Sequence, residues 1–166
     1  MLYLDTCVLL ALLTPEVHSP FATAFLEEAS EALAISPWST TELHSALALK
    51  VRTGALNPAE ADRVLDGFER SLAPALLLLD LQHQDFLHAN ACLRGWSTSL
   101  RAADALHLAI AAGRGATLCS LDAPFVKAAR LLGLPALLIS DKDTPDLDRH
   151  RLSTTPVSYT HLRAHE

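Results

Sequence analysis

Four carboxylates in this chain stand where a fold could gather them: Asp5 in YLDT, Glu42 in STTELHSAL, Asp104 in LRAADALHLA and Asp122 in SLDAPF. An all-oxygen cluster of this kind suits Mg²⁺ or Mn²⁺, and the lack of Cys or His in the set argues against zinc. A cation held there would lower the pKa of a water, orient it for in-line attack on phosphorus and neutralise the oxygens that gain charge. Asp5, Asp104 and Asp122 are assigned to the metal shell, with Glu42 completing it or holding a metal-bound water. Thr6 and Ser120 are close enough in sequence to hydrogen-bond a ligand carboxylate or a phosphate. Without a cation the cluster is costly, since two carboxylates about 4 Å apart repel by roughly 4 kcal/mol at an effective dielectric near 20.

Each acid also has a purely structural use. Asp5 could make an Asx-turn after a strand. Ser39-Thr40-Thr41-Glu42 has the form of a capping box. Asp104 could favour its helix dipole and pair with Arg101, and Asp122 could cap the helix that opens at Ala123-Pro124. Four independent structural uses need not converge on one place, whereas a metal site must. Convergence is therefore the expectation to test.

The elements that would bring it about are short apolar runs alternating with helix-period segments, the pattern of a parallel sheet covered by helices on both faces. The predicted strands are Leu2–Leu4, Leu33–Ser36, Ala75–Leu79, Thr117–Leu121 and Ala136–Ile139. The opening MLYLDTCVLLALLTP has no Lys or Arg before its apolar stretch and is interrupted by Asp5, so it reads as a buried strand rather than a signal peptide. Helices are predicted over SPFATAFLEEASEA, over Ser39–Thr53, from Asn57-Pro58 to about Leu72, around Asp85–Leu93, over RAADALHLAIAAG and over APFVKAARLLG, with a turn at Gly95. In such sheets ligands collect outside the carboxyl ends of the strands. Asp5 and Asp122 directly follow strands, Glu42 lies early in the helix after the second strand, and Asp104 lies near the start of a helix running back against the sheet.

The bulk composition is compatible. The chain has 166 residues, half of them hydrophobic, enough for one domain, and no run is long or pure enough to span a bilayer. Residues 1–140 are read as that domain. Residues 141–166 are polar and Pro-containing, expected to be a disordered tail or artefactual, because SYTHLRAHE resembles translated sequencing-adapter DNA. Cys7, Cys92 and Cys119 are widely spaced in apolar surroundings, which suggests neither disulfides nor a zinc knuckle and fits a cytoplasmic setting. His44 and His107 read as ordinary helix-face or core histidines. A net charge of −6 is unusual for a nucleic-acid binder, but acids that hold cations inflate the negative count, and bound metal reverses the local sign.

YLDT, STTELHSAL, LRAADALHLA and SLDAPF together resemble the PIN-domain family, most closely the VapC-like toxins of prokaryotic type II toxin–antitoxin pairs, over about Met1 to Ser140. The resemblance implies an α/β three-layer sandwich with a central five-stranded parallel sheet ordered 3-2-1-4-5. It also implies Mg²⁺- or Mn²⁺-dependent endoribonuclease cleavage of RNA, frequent homodimers, and Asp5, Glu42, Asp104 and Asp122 as the acidic quartet. A cognate antitoxin would place its C-terminal segment in a groove near the site. Cys7 stands where Asn or Ser is common in the family.

Other readings remain open at this point. A receiver-like signalling domain also sets acids at strand ends, but Asp5 is single and no Lys ends the fourth or fifth strand. A phosphatase with an aspartyl nucleophile would need an acid where Cys7 stands. A PIN-like module that has lost catalysis and acts by protein binding shares every motif.

Overall fold

A computed structural model describes residues 1–94 and 96–140, and the turn expected at Gly95 and the tail expected over 141–166 lie outside the described residues. The strands are β1 (Leu2–Leu4), β2 (Leu33–Ile35), β3 (Leu77–Leu78), β4 (Thr117–Ser120) and β5 (Ala136–Leu138). They form one parallel sheet in the order β3-β2-β1-β4-β5. β1 lies at its centre, with Leu2 level with Leu33 on one side and Thr117 on the other.

Side chains alternate across this sheet, as the two-residue period of a strand requires. From β1, Leu2 and Leu4 join the apolar cluster of α1 (Thr6–Leu13), α2 (Ser19–Glu28) and α3 (Pro37–Arg52). Tyr3 joins the opposite cluster with α6 (Ala102–Gly113) and α7 (Ala123–Leu131). Between these lie α4 (Pro58–Gly67) and α5 (His83–Arg94), the latter packed along α6. Both faces of the central strands are thus covered, which accounts for their near-continuous hydrophobicity.

Several expected boundaries move, for identifiable reasons. The apolar run after Asp5 is helix α1 rather than an extension of the first strand. Its side chains are apolar almost all round, so it lacks the one-sided stripe that distinguishes a helix from a buried strand. β2 stops at Ile35 because Ser36 becomes the N-cap of α3, with Pro37 at the first helical position. The segment expected as one helix to Leu72 is α4 followed by a π-helical turn (Phe68–Leu72), and a 3-10 turn (Ala73–Ala75) takes the expected start of the third strand. β3 is reduced to two residues at the sheet edge, and Leu77 and Leu78 are both more than half exposed. Its apolar run is therefore not a sign of burial.

The far end of the α5–α6 pair is tied by a buried charge. Asp85 accepts the Gln82 N–H at 2.8 Å as α5 begins, and its other oxygen pairs with the Arg114 guanidinium just after α6. Arg114 also donates to the Asp80 carbonyl. A buried carboxylate needs such partners to stay charged, and here they fasten three segments together. Among the described residues no helix is long and apolar enough to cross a membrane.

Candidate active site

The carboxyl ends of β1 and β4 sit side by side, because the Asp5 N–H donates to the Cys119 carbonyl at 3.0 Å and continues the ladder one residue past the strand. Asp5 then caps α1, taking the Thr6 N–H on Oδ1 at 2.7 Å. Its Oδ2 accepts the Ser120 hydroxyl at 2.6 Å and the Cys7 thiol at 3.0 Å. Ser120 is fully buried and also accepts the Asp122 N–H at 3.0 Å. Asp122 in turn caps α7, with Oδ1 accepting the Phe125 N–H at 3.0 Å. One hydroxyl therefore links two of the four acids.

Glu42 reaches the same place from α3, and it is not part of a capping box. Ser36 and Ser39 exchange the capping hydrogen bonds instead, since α3 starts two residues earlier than its sequence suggests. That leaves Glu42 one turn further in, free to turn towards β1. Its Oε2 accepts the Thr6 hydroxyl at 2.9 Å and a hydrogen bond from His107 Nε2. Burial would raise the Glu42 pKa, but the hydrogen bond and charge of His107 and the Thr6 hydroxyl outweigh it and hold the carboxyl below its usual range.

His107 is buried beneath the cluster, and its Nδ1 lies 2.9 Å from the Tyr3 hydroxyl. That hydroxyl also contacts Ser36 at 2.7 Å and Ser39 at 3.2 Å. Burial raises the Tyr3 pKa to about 12, with the Asp5 and Glu42 charges adding and the serine hydrogen bonds opposing. A carboxylate can only accept, so the proton on the His107–Glu42 contact belongs to Nε2. Asp5, Glu42 and His107 place one ligand atom each within 4.8 Å of one another. With one ring nitrogen on Tyr3 and a proton on the other, His107 has no lone pair to offer a cation and serves to hold Glu42.

Asp104 lies in the first turn of α6, where Oδ2 accepts the Arg101 N–H at 3.2 Å. No oxygen of Asp104 or Asp122 belongs to the tight group around Asp5, but both face the same rim. The Asp104 pKa is raised by burial, opposed by the Arg101 N–H, and raised again by the charges of Asp5, Asp122 and Glu42. All four acids thus share one end of the sheet. Asp122 caps its helix as expected, and Asp5 is the N-cap of α1 rather than an Asx-turn. Asp104 sits in the first turn of α6, holding the Arg101 N–H without an ion pair to its guanidinium.

The donor set fits a hard divalent cation. Among the described residues, Glu42 Oε1, Asp104 Oδ1 and Asp122 Oδ2 have no hydrogen-bond partner, while the second oxygen of each is fixed by a protein donor. Oriented carboxylates with one lone-pair-bearing oxygen to spare are what Mg²⁺ or Mn²⁺ coordination uses. The Cys7 thiol donates to Asp5 Oδ2 and accepts the Leu121 N–H at 3.3 Å, so a side-chain hydrogen bond to the acid is present at this position. Burial first and the Asp5 charge second push its pKa far up, so it stays a neutral donor.

His107 is the site residue that sequence reasoning passed over. A lone histidine in an Ala- and Leu-rich helix carries no ligand spacing, but its position three residues after Asp104 puts the two on one helix face, which is the signal that was available.

A family profile described as PIN domain matches residues 2–131. No curated protein matches the chain. Among solved structures, FitAcB from Neisseria gonorrhoeae is 22% identical, with 82% of this chain and 96% of that chain covered and a TM-score of 0.63. VapBC2 from Rickettsia felis, bound to a DNA fragment from their promoter, is 18% identical over 84% of this chain and 100% of that one, with a TM-score of 0.62. VapC20 from Mycobacterium tuberculosis, a sarcin-ricin loop cleaving toxin, is 16% identical over 77% and 95%, with a TM-score of 0.61. At these identities the likeness is one of fold. A receiver-like arrangement, with strands ordered 2-1-3-4-5, is excluded by the sheet order here.

Proposed function

The chain belongs to the PIN-domain family, and from that premise we propose that it is a Mg²⁺- or Mn²⁺-dependent endoribonuclease, the toxin of a type II toxin–antitoxin pair. The observation that carries the reading is the meeting of Asp5, Glu42, Asp104 and Asp122 at one end of the sheet, each with one oxygen or more fixed by a protein donor. A bound divalent cation supplies Lewis acidity towards water and phosphate oxygens. Asp5, Asp104 and Asp122 would hold it, with Glu42 completing the set. Thr6 and His107 fix Glu42 from below, and Ser120 and Cys7 fix Asp5. No serine or cysteine nucleophile is required, and the thiol nearest the cluster is held neutral.

RNA is the substrate of this reading. A cognate antitoxin is its protein partner, in keeping with a toxin–antitoxin complex from Klebsiella pneumoniae among the structural neighbours, and a second copy of the chain is the other. The test is cleavage of end-labelled single-stranded and structured RNA by the full chain in Mg²⁺ or Mn²⁺, in EDTA, and by Asp122→Asn. Cleavage that needs the metal and the acid is expected. Cleavage that persists in EDTA would remove the metal, and a chain that cuts no RNA while binding a partner protein would make it a non-catalytic PIN module.

A further inference from the structure

The loop between α5 and α6 holds a side chain that packing does not explain. Trp96 is 86% exposed and has a φ of 51°, the one positive φ outside glycine among the described residues. A bulky aromatic rarely occupies that region. Around it the loop is conventional, with Leu93 and Leu100 packed against the apolar cluster on that face. The chain thus turns smaller apolar residues inward and leaves its largest in solvent, at a strained backbone position. Both features cost stability, and strain of this kind is typical of sites that contact ligands.

The position is within reach of Asp104 along the chain. Trp96 is five residues before Arg101, whose N–H is held by Asp104, so the chain between them spans at most about 17 Å. The start of α5 meets the end of α6 through Asp85 and Arg114, so the two helices run antiparallel and Trp96 lies towards the end of the pair where Asp104 feels Asp5, Asp122 and Glu42. Arg94 and Arg101 bracket the loop, are exposed, and form no ion pair among the described residues. An exposed indole between two unpaired guanidinium groups is the equipment of a single-strand nucleic-acid contact: a flat face for a base and cations for its phosphates. On a chain of net charge −6 these cations favour a polyanion over a second copy of the same acidic protein.

We propose that Trp96 is a stacking platform for a nucleobase of single-stranded RNA next to the scissile phosphate, with Arg94 and Arg101 engaging the adjoining phosphates. The proposal rests on the reading of the acid cluster as a ribonuclease site. It places substrate selection in the α5–α6 loop, apart from the metal-holding acids.

The test uses indole fluorescence, which base stacking quenches. The chain has two tryptophans, so Trp38→Phe isolates Trp96, and the difference between wild type and Trp96→Ala gives the same information without altering the core. Titration with a short single-stranded RNA in Ca²⁺ is expected to quench Trp96 saturably, and an abasic strand of equal length is expected not to. By anisotropy of labelled RNA, Trp96→Ala should bind roughly tenfold more weakly or worse, and Arg94→Ala and Arg101→Ala should each lower the salt slope by about one. Absence of RNA binding, equal quenching by the abasic strand, or unchanged affinity in Trp96→Ala overturns the proposal. So does burial of Trp96 by self-association, seen as concentration-dependent emission without RNA. Cleavage assayed on the same samples in Mn²⁺ separates the two readings. Quenching without cleavage removes the nuclease and keeps the platform, whereas cleavage by Trp96→Ala with wild-type KM removes the platform alone.

Discussion

Ser120 donates its hydroxyl proton to Asp5 Oδ2 across 2.6 Å, joining residues 115 positions apart in the chain. Because the Ser120 hydroxyl oxygen also receives the Asp122 N–H, the pair locks two candidate metal-holding segments to each other. Ser120→Ala removes the hydroxyl from a fully buried position. It should cost about 1–3 kcal/mol in stability and about 10–100-fold in metal affinity. Chemical denaturation and Mn²⁺ titration read the two effects, and unchanged metal affinity would show that Asp5 needs no such anchor.

Asp104 lies in the field of three other acids, which raise its pKa together with burial. Removing its charge relieves that repulsion while deleting a candidate metal-holding oxygen. Asp104→Asn should therefore melt at a higher temperature than wild type in EDTA, and Mg²⁺ or Mn²⁺ should raise its Tm by less. RNA cleavage should fall by more than about a hundredfold, beyond the usual loss from an outer partner. A variant that is both less stable in EDTA and fully active contradicts the shared field.

Tyr3 and His107 support Glu42 from inside the sheet. Tyr3→Phe keeps the ring and deletes the hydroxyl that meets Ser36, Ser39 and His107, so a loss of about 1–3 kcal/mol is expected. His107→Ala leaves a cavity and an unheld Glu42, with a larger loss of about 2–5 kcal/mol. If the imidazole only holds Glu42, metal affinity should drop in both variants, more in His107→Ala. Equal metal affinity across wild type and both variants would make the relay purely structural.

Alkaline stability follows from the buried Cys119 thiol. Burial, aided by the Glu31 charge, raises its pKa well above the ordinary 9.0. The folded state therefore keeps the thiol neutral at a pH where the unfolded chain ionises. The stability term is intact below about 9 and is lost progressively as pH rises above it. Tm should fall between pH 8 and 10.5, as roughly bracketed by that ordinary value, and Cys119→Ala should fall less steeply. Parallel curves for the two proteins would rule the thiol out.

Much of this architecture is legible in the residues, and the exceptions share a cause. β1, β4 and β5 show as short apolar runs because their residues are shielded by helices on both sides of the sheet. α1 escapes detection for the same reason: Val8, Leu9 and Ala11 are buried while Cys7, Leu10, Leu12 and Leu13 are partly covered, leaving no polar face to mark the period. In α3 the apparent box from Ser39 to Glu42 competes with Ser36 to Ser39, and Pro37 decides for the earlier start because its ring suits the first helical position. The acids are readable since three directly follow or open an element. The bond from His107 to Glu42 joins residues far apart in sequence, and such pairing exists only once α3 and α6 lie on β1.

The order of the acids along the chain has a consequence during synthesis. β1 lies between β2 and β4, and Asp5 completes its hydrogen bonding only through Cys119 and Ser120. A nascent polypeptide interrupted before Thr117 therefore lacks both the fourth acid and the strand that aims the first. The ribosome must deliver nearly the whole domain before the four acids can meet, so half-made copies carry an incomplete cluster.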